Sequence, residues 1–96
     1  MQEGLLLAKI SKSAQAGTVE SSDILIILAP ADPGSGIQIE LVSPTIQQYG
    51  EQIRKVIFDT LVARGIQDAC VHANDKGALD CTIEARVQTA IARASD

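Results

Sequence analysis

Three groups of residues carry side chains able to do chemistry. Cys70, His72 and Cys81 follow the spacing Cys-x-His-x8-Cys. Zinc sites bring their ligands in two close pairs, because a knuckle turn has to present them. Here only Cys70 and His72 are close, and the two cysteines and one histidine of the chain leave no fourth soft ligand. No metal site is expected. A thiol two residues from an imidazole is also the raw material of a nucleophile and its base. The pattern shows no orienting acid and no oxyanion donors. Cys70 and Cys81 are therefore expected to be small core residues, with His72 on the surface or on a sheet face.

The second group is Asp75, Lys76 and Asp80 in "NDKGALD". A carboxylate pair can act as acid and base or hold Mg²⁺. A turn followed by a helix start asks for the same residue types for structural reasons, and that reading is preferred. The third group is "GTVESSD", Gly17 to Asp23, where Ser21 and Ser22 stand between Glu20 and Asp23. Turn serines cap backbone N–H groups. A hydroxyl at the lip of a rigid strand is also a place to attach something, but local composition alone favours the turn reading. "PGSG", residues 33–36, lacks a following helix and a Lys-Ser/Thr pair, so it fails the context of a phosphate loop.

These residues need elements to hold them. Residues 14–20 read as a short strand weakened by Gly17. "DILIILA", 23–29, is apolar without alternation, as in a strand covered on both faces. "PADPGSG", 30–36, is a loop, and "IQIELV", 37–42, alternates as a strand with one apolar face. The expectation is that these two strands form an antiparallel hairpin. Ser43 is placed to cap a helix with Pro44 at its first position. That helix carries Ile46, Tyr49, Ile53, Val56, Ile57, Thr60 and Leu61 on one face and stops at Gly65. Residues 66–73 read as another strand and 74–77 as a turn. A second amphipathic helix follows, with Leu79, Ile83, Val87, Ala90, Ile91 and Ala94 on its stripe and Arg86 and Arg93 free to pair on its outer side.

The order is β-β-α-β-α with one more strand ahead. It predicts an α+β fold: a small mixed or antiparallel sheet of three to four strands with two helices on one face. Residues 1–13 read as a loosely ordered lead-in and 14–96 as one domain, which suits a chain of 96 residues. The net charge of −4 and the 2% aromatic content argue against a nucleic-acid binder, which shows a basic patch and stacking rings. No apolar run is long enough for a membrane span. The N-terminus lacks the basic start and apolar segment of a signal peptide. A cytoplasmic chain with reduced cysteines is expected.

Three stretches together resemble the acyl carrier protein, or γ subunit, family of citrate lyase. "AGTVESSD", 16–23, is similar to the modification motif of that family. "YGEQIRKVIFDTL", 49–61, is similar to its central helix, and "DKGALDCTIEARVQTAIARA", 75–94, to its C-terminal signature. The resemblance covers the chain from about residue 14. It departs at Asn74, where the family commonly has a second acid, and in a longer N-terminal lead. What the resemblance implies is a non-catalytic carrier that is no four-helix bundle. Ser21, flanked by Glu20, Ser22 and Asp23, would hold 2'-(5''-phosphoribosyl)-3'-dephospho-CoA through a phosphodiester. Its partners would be the α acyl transferase and β citryl lyase subunits, the transferase that attaches the group and the ligase that acetylates it. Two other readings stay open: the acyl carrier subunit of malonate decarboxylase, and a small cofactor-free interaction or regulatory module.

Overall fold

The computed structural model describes residues 9–95. Residues 1–8, most of the expected lead-in, lie outside the described residues. Six elements follow in order: β1 (Ala14–Gly17), β2 (Ile24–Ala29), β3 (Ile37–Val42), α1 (Ile46–Ala63), β4 (Ala69–Asp75) and α2 (Asp80–Ala94). The sheet order is β1-β2-β4-β3. This is the expected α+β fold, with the additional strand present and both helices on one face.

Strand alternation sorts the sheet into two faces. Ile24, Ile26 and Leu28 of β2 and Ala69, Val71 and Ala73 of β4 are buried under the helices. They meet Ile53, Val56, Ile57 and Leu61 of α1 and Ile83, Val87, Ala90 and Ile91 of α2. The helical residues recur three and four apart, which puts them on one stripe of each helix. The core is aliphatic throughout, as the near-absence of aromatics requires. Ile10, ahead of β1, joins it and makes an isolated bridge to Ser95.

One pairing differs from expectation. β2 and β3 do not form a hairpin, because β4 lies between them. β2 pairs antiparallel with β4, from Ile24↔Asp75 to Ala29↔Cys70, and β3 pairs parallel with β4, from Ile37↔Ala69 to Val42↔Asn74. The expected opposite directions of β2 and β3 hold, but the neighbours do not. Residues 30–36 are long enough to step across one intervening strand, a gap of about 10 Å. That loop is fixed at its far end, where Gly36 N–H donates to Asp68 Oδ1 at 2.8 Å and Ala69 N–H to the Gly36 carbonyl at 3.1 Å. α1 is the crossover that a parallel β3–β4 pair needs. The true hairpin is β1–β2, from Ala14↔Leu28 to Gly17↔Leu25.

Smaller differences have local causes. β2 is apolar on both sides, yet the helices cover only one; Leu25, Ile27 and Ala29 are half-buried on the other. α1 is capped at Thr45, not Ser43, and starts at Ile46. The Ser43 hydroxyl donates to Asp75 Oδ2 at 2.9 Å and accepts from Thr45 N–H at 3.2 Å, just ahead of the helix. β4 starts later than expected and extends through Asn74 and Asp75, so the turn is confined to Lys76–Gly77 and the segment after it. Leu79 stands at the boundary residue before α2 and is 70% exposed, and Tyr49 is 53% exposed, so neither belongs to its helix's buried stripe.

The register brings one end of the molecule together. The end of β1, the start of β2, the ends of β3 and β4 and the starts of both helices share it. Loops 18–23, 43–45 and 76–79 therefore lie side by side.

Candidate functional site: the turn at Ser21

The chain reverses between β1 and β2 in a turn from Glu20 to Asp23, closed by Asp23 N–H donating to the Glu20 carbonyl at 3.1 Å. Ser21 and Ser22 occupy its two central positions, and both are exposed. Ser22 has φ 67°, the positive value required at the third residue of a type II turn. The turn is pinned from the β4–α2 loop. Ser22 N–H donates to the Lys76 carbonyl at 2.8 Å, and Lys76 N–H donates to the Asp23 carbonyl at 2.9 Å. The two serines are thus unequal. Ser22 is held through its own backbone, and Ser21 stands exposed beside it.

Asp23 is the hub of the site. Arg86 on α2 grips its carboxylate with both arms, Nε to Oδ1 at 3.0 Å and Nη2 to Oδ2 at 2.7 Å. The Thr18 hydroxyl donates to Oδ2 at 2.7 Å and the Ile24 N–H to Oδ1 at 2.7 Å. The Arg86 hydrogen bonds, then Thr18, then the Ile24 amide hold the Asp23 carboxyl well below the usual carboxylate range. Thr18 Oγ1 also accepts from Glu20 N–H at 3.2 Å. Sequence spacing could not give the Arg86–Asp23 pair, which joins residues 63 apart. The available signal was a cation on the outer side of α2 with no acid three or four residues away; its nearest acidic neighbours, Glu84 and Cys-adjacent Asp80, are at the wrong spacing.

The other candidate groups are not assembled. Cys70 is half-buried and Cys81 exposed, so neither is the core residue expected. They are also apart: Cys70 faces the sheet surface away from the helices, and Cys81 lies in the first turn of α2. Strand alternation does place Cys70 and His72 on one face. The Cys70 thiol has Gln38 Oε1 at 3.9 Å, and His72 Nδ1 pairs with Glu40 Oε1 at 2.9 Å. Glu40 is an acid partner for His72 that only the β3–β4 register reveals. Among the described residues no cluster of three or more His, Cys, Asp or Glu could hold a metal ion.

Asp75 and Asp80 are likewise occupied. Asp75 is 1% exposed, accepting from Ser43 Oγ at 2.9 Å and from Ala78 N–H at 3.0 Å. It ties β4 to the segments that follow β3 and precede α2. Asp80 Oδ2 accepts from Gln52 Nε2 at 2.8 Å. Both carboxylates act as structural acceptors here, as the turn-and-helix reading expects.

A small α+β domain that presents a hydroxyl on a pinned turn matches a family model described as malonate decarboxylase delta subunit, over residues 11–94. The chain is 56% identical over 88 residues to the citrate lyase acyl carrier protein of Lacticaseibacillus casei, spanning 92% of this chain and 85% of that one. It is 48% identical over 88 residues to the citrate lyase acyl carrier protein of Pectobacterium carotovorum, spanning 92% and 90%. The fold is also that of a chain in a Pseudomonas malonate decarboxylase hetero-tetramer in complex with malonate, with a TM-score of 0.65 at 19% identity, covering 92% of this chain and 90% of that one. The class is an acyl carrier, a carrier subunit and not a catalytic one. The chain belongs to the citrate lyase acyl carrier protein family.

Proposed function

We propose that the chain is the acyl carrier subunit of a cytoplasmic citrate lyase complex and that Ser21 is its anchor. The group attached there is 2'-(5''-phosphoribosyl)-3'-dephospho-CoA, joined to the hydroxyl by a phosphodiester. When bound, that group would supply the thiol on which acetyl is exchanged for citryl at the α subunit, with acetate leaving, and restored at the β subunit as oxaloacetate leaves. The balance is citrate to acetate and oxaloacetate.

The observation that carries this reading is the inequality of the serine pair. Ser21 is exposed on a turn held by β1, β4 and α2, so a tethered arm swings from a fixed point. A fixed tether raises the effective concentration of the thioester at each partner site. A Cβ built on Gly77, next to the clamp at Lys76, meets nothing within 4 Å, so there is open room beside the anchor. Glu20 is exposed and available to a basic docking surface, whereas Asp23 is consumed by Arg86.

The description of the matching family model makes malonate decarboxylase the second reading. The relatives at 45–56% identity are citrate lyase acyl carrier proteins, and the likeness to the malonate decarboxylase chain, at 19%, concerns the fold. Reconstitution decides between them. The modified chain, combined with the large subunits, is expected to turn over citrate. Ser21→Ala is expected to abolish turnover, while Cys70→Ser and Ser22→Ala retain most of it. Turnover of malonate alone would replace citrate lyase with the second reading.

A further inference from the structure

Val19, Val42, Ile46, Tyr49 and Leu79 are large apolar side chains exposed at the end of the molecule that carries Ser21. Between the first turns of α1 and the segment 75–80 lies a groove of about 400 Å³. Tyr49, Ile53, Ala78 and Leu79 give it apolar walls, and Asp75 and Asp80 also line it; no Lys or Arg does. It lies at the same end of the molecule as the serine turn, one residue along the chain from the turn's clamp. Lys76, which clamps Ser22 and Asp23 through its backbone, is followed directly by Gly77 in the groove lining. Both carboxylates are fixed in place, Asp75 by Ser43 and Ala78 and Asp80 by Gln52.

We infer that this groove is the resting place of the neutral amide-and-methylene part of an arm anchored on Ser21, together with an uncharged acyl group at its tip. The inference rests on the carrier reading above. Apolar walls favour methylenes and a small acyl group. The two fixed carboxylates, unopposed by a cation in the lining, disfavour an acyl group that bears carboxylates of its own. The groove therefore sorts acyl states. An acetyl thioester rests against the domain, and an anionic acyl thioester is displaced outward, where a partner can take it.

The test compares three forms of the ¹⁵N-labelled chain: without the arm, with the arm acetylated, and with the arm carrying a succinyl thioester as the anionic probe. Peptide mass mapping of the same samples comes first. Added mass on a residue other than Ser21 overturns the Ser21 anchor on which the groove depends. With Ser21 modified, acetylation is expected to shift the Tyr49, Ala78 and Leu79 amides several-fold more than Phe58, which lies further along α1. Those shifts are expected to collapse in the succinyl form and in Leu79→Asp, a change at an exposed position that the fold tolerates. Shifts confined to residues 19–23 and Lys76, or equal shifts in the acetyl and succinyl forms, would overturn the groove while leaving the anchor in place.

Discussion

The carboxylate of Asp23 accepts from four donors: two nitrogens of Arg86, the Thr18 hydroxyl and the Ile24 amide. The Asp23 side chain is only 15% exposed and is spent inside the molecule, fastening the turn to α2. Because folding lowers its pKa, its stabilising effect is complete above the ordinary aspartate value of about 4 and is lost only as pH falls further. Asp23→Asn is therefore expected to lower Tm by a constant amount between about pH 5 and pH 8, with the gap narrowing below about pH 4. Thermal melts across that range check it, and a gap that closes between pH 7 and pH 5 contradicts the latch. At Ser22 the backbone sets the rule. A β-branched side chain suits its φ of 67° poorly, so Ser22→Val is expected to cost about 1–2 kcal/mol in urea unfolding and Ser22→Gly to cost none.

At the scale of elements, the two helices and the strand segments were readable from periodicity, because each buries one stripe against one sheet. Ile53, Val56, Ile57 and Leu61, and likewise Ile83, Val87 and Ile91, sit where their spacing places them. The strand order was not readable. Periodicity says which side of a strand is apolar, but not which strand lies beside it. The insertion of β4 between β2 and β3 depends on α1 crossing over, a contact across the whole domain. The serine turn was legible as a motif, while its clamp was not, since Lys76 acts through its backbone and Arg86 from a distant helix. Gly17 is the narrowest point of the β1–β2 hairpin, with φ 95°, and a Cβ there would collide with the Ile24 carbonyl. Gly17→Ala is expected to cost about 2–4 kcal/mol in urea unfolding, from positive-φ strain and steric conflict together. Gly34 has φ 86° but open surroundings. Gly34→Ala is expected to cost only about 1–2 kcal/mol. Equal losses would mean that the hairpin relaxes around the new methyl group.

At the scale of the molecule, the candidate site lies at one end. The far end holds the long β2–β3 loop and the α1–β4 connection. The near end gathers the serine turn, both helix starts and the groove at Tyr49 and Leu79. Among the described residues no helix is long and apolar enough to cross a membrane. The edge strands are partly blunted by helix arginines: Arg54 donates to the Ile39 carbonyl of β3 and Arg93 to the Gln15 carbonyl of β1, each at 2.9 Å. On the proposed reading, the domain is a support for the Ser21 hydroxyl and the arm tied to it. Peptide mapping of the protein purified from cells that make the attachment enzyme tests that claim most directly. A mass increment equal to the phosphoribosyl-dephospho-CoA group is expected on Ser21. The same increment on Ser22, or an unmodified Ser21 throughout, would contradict it.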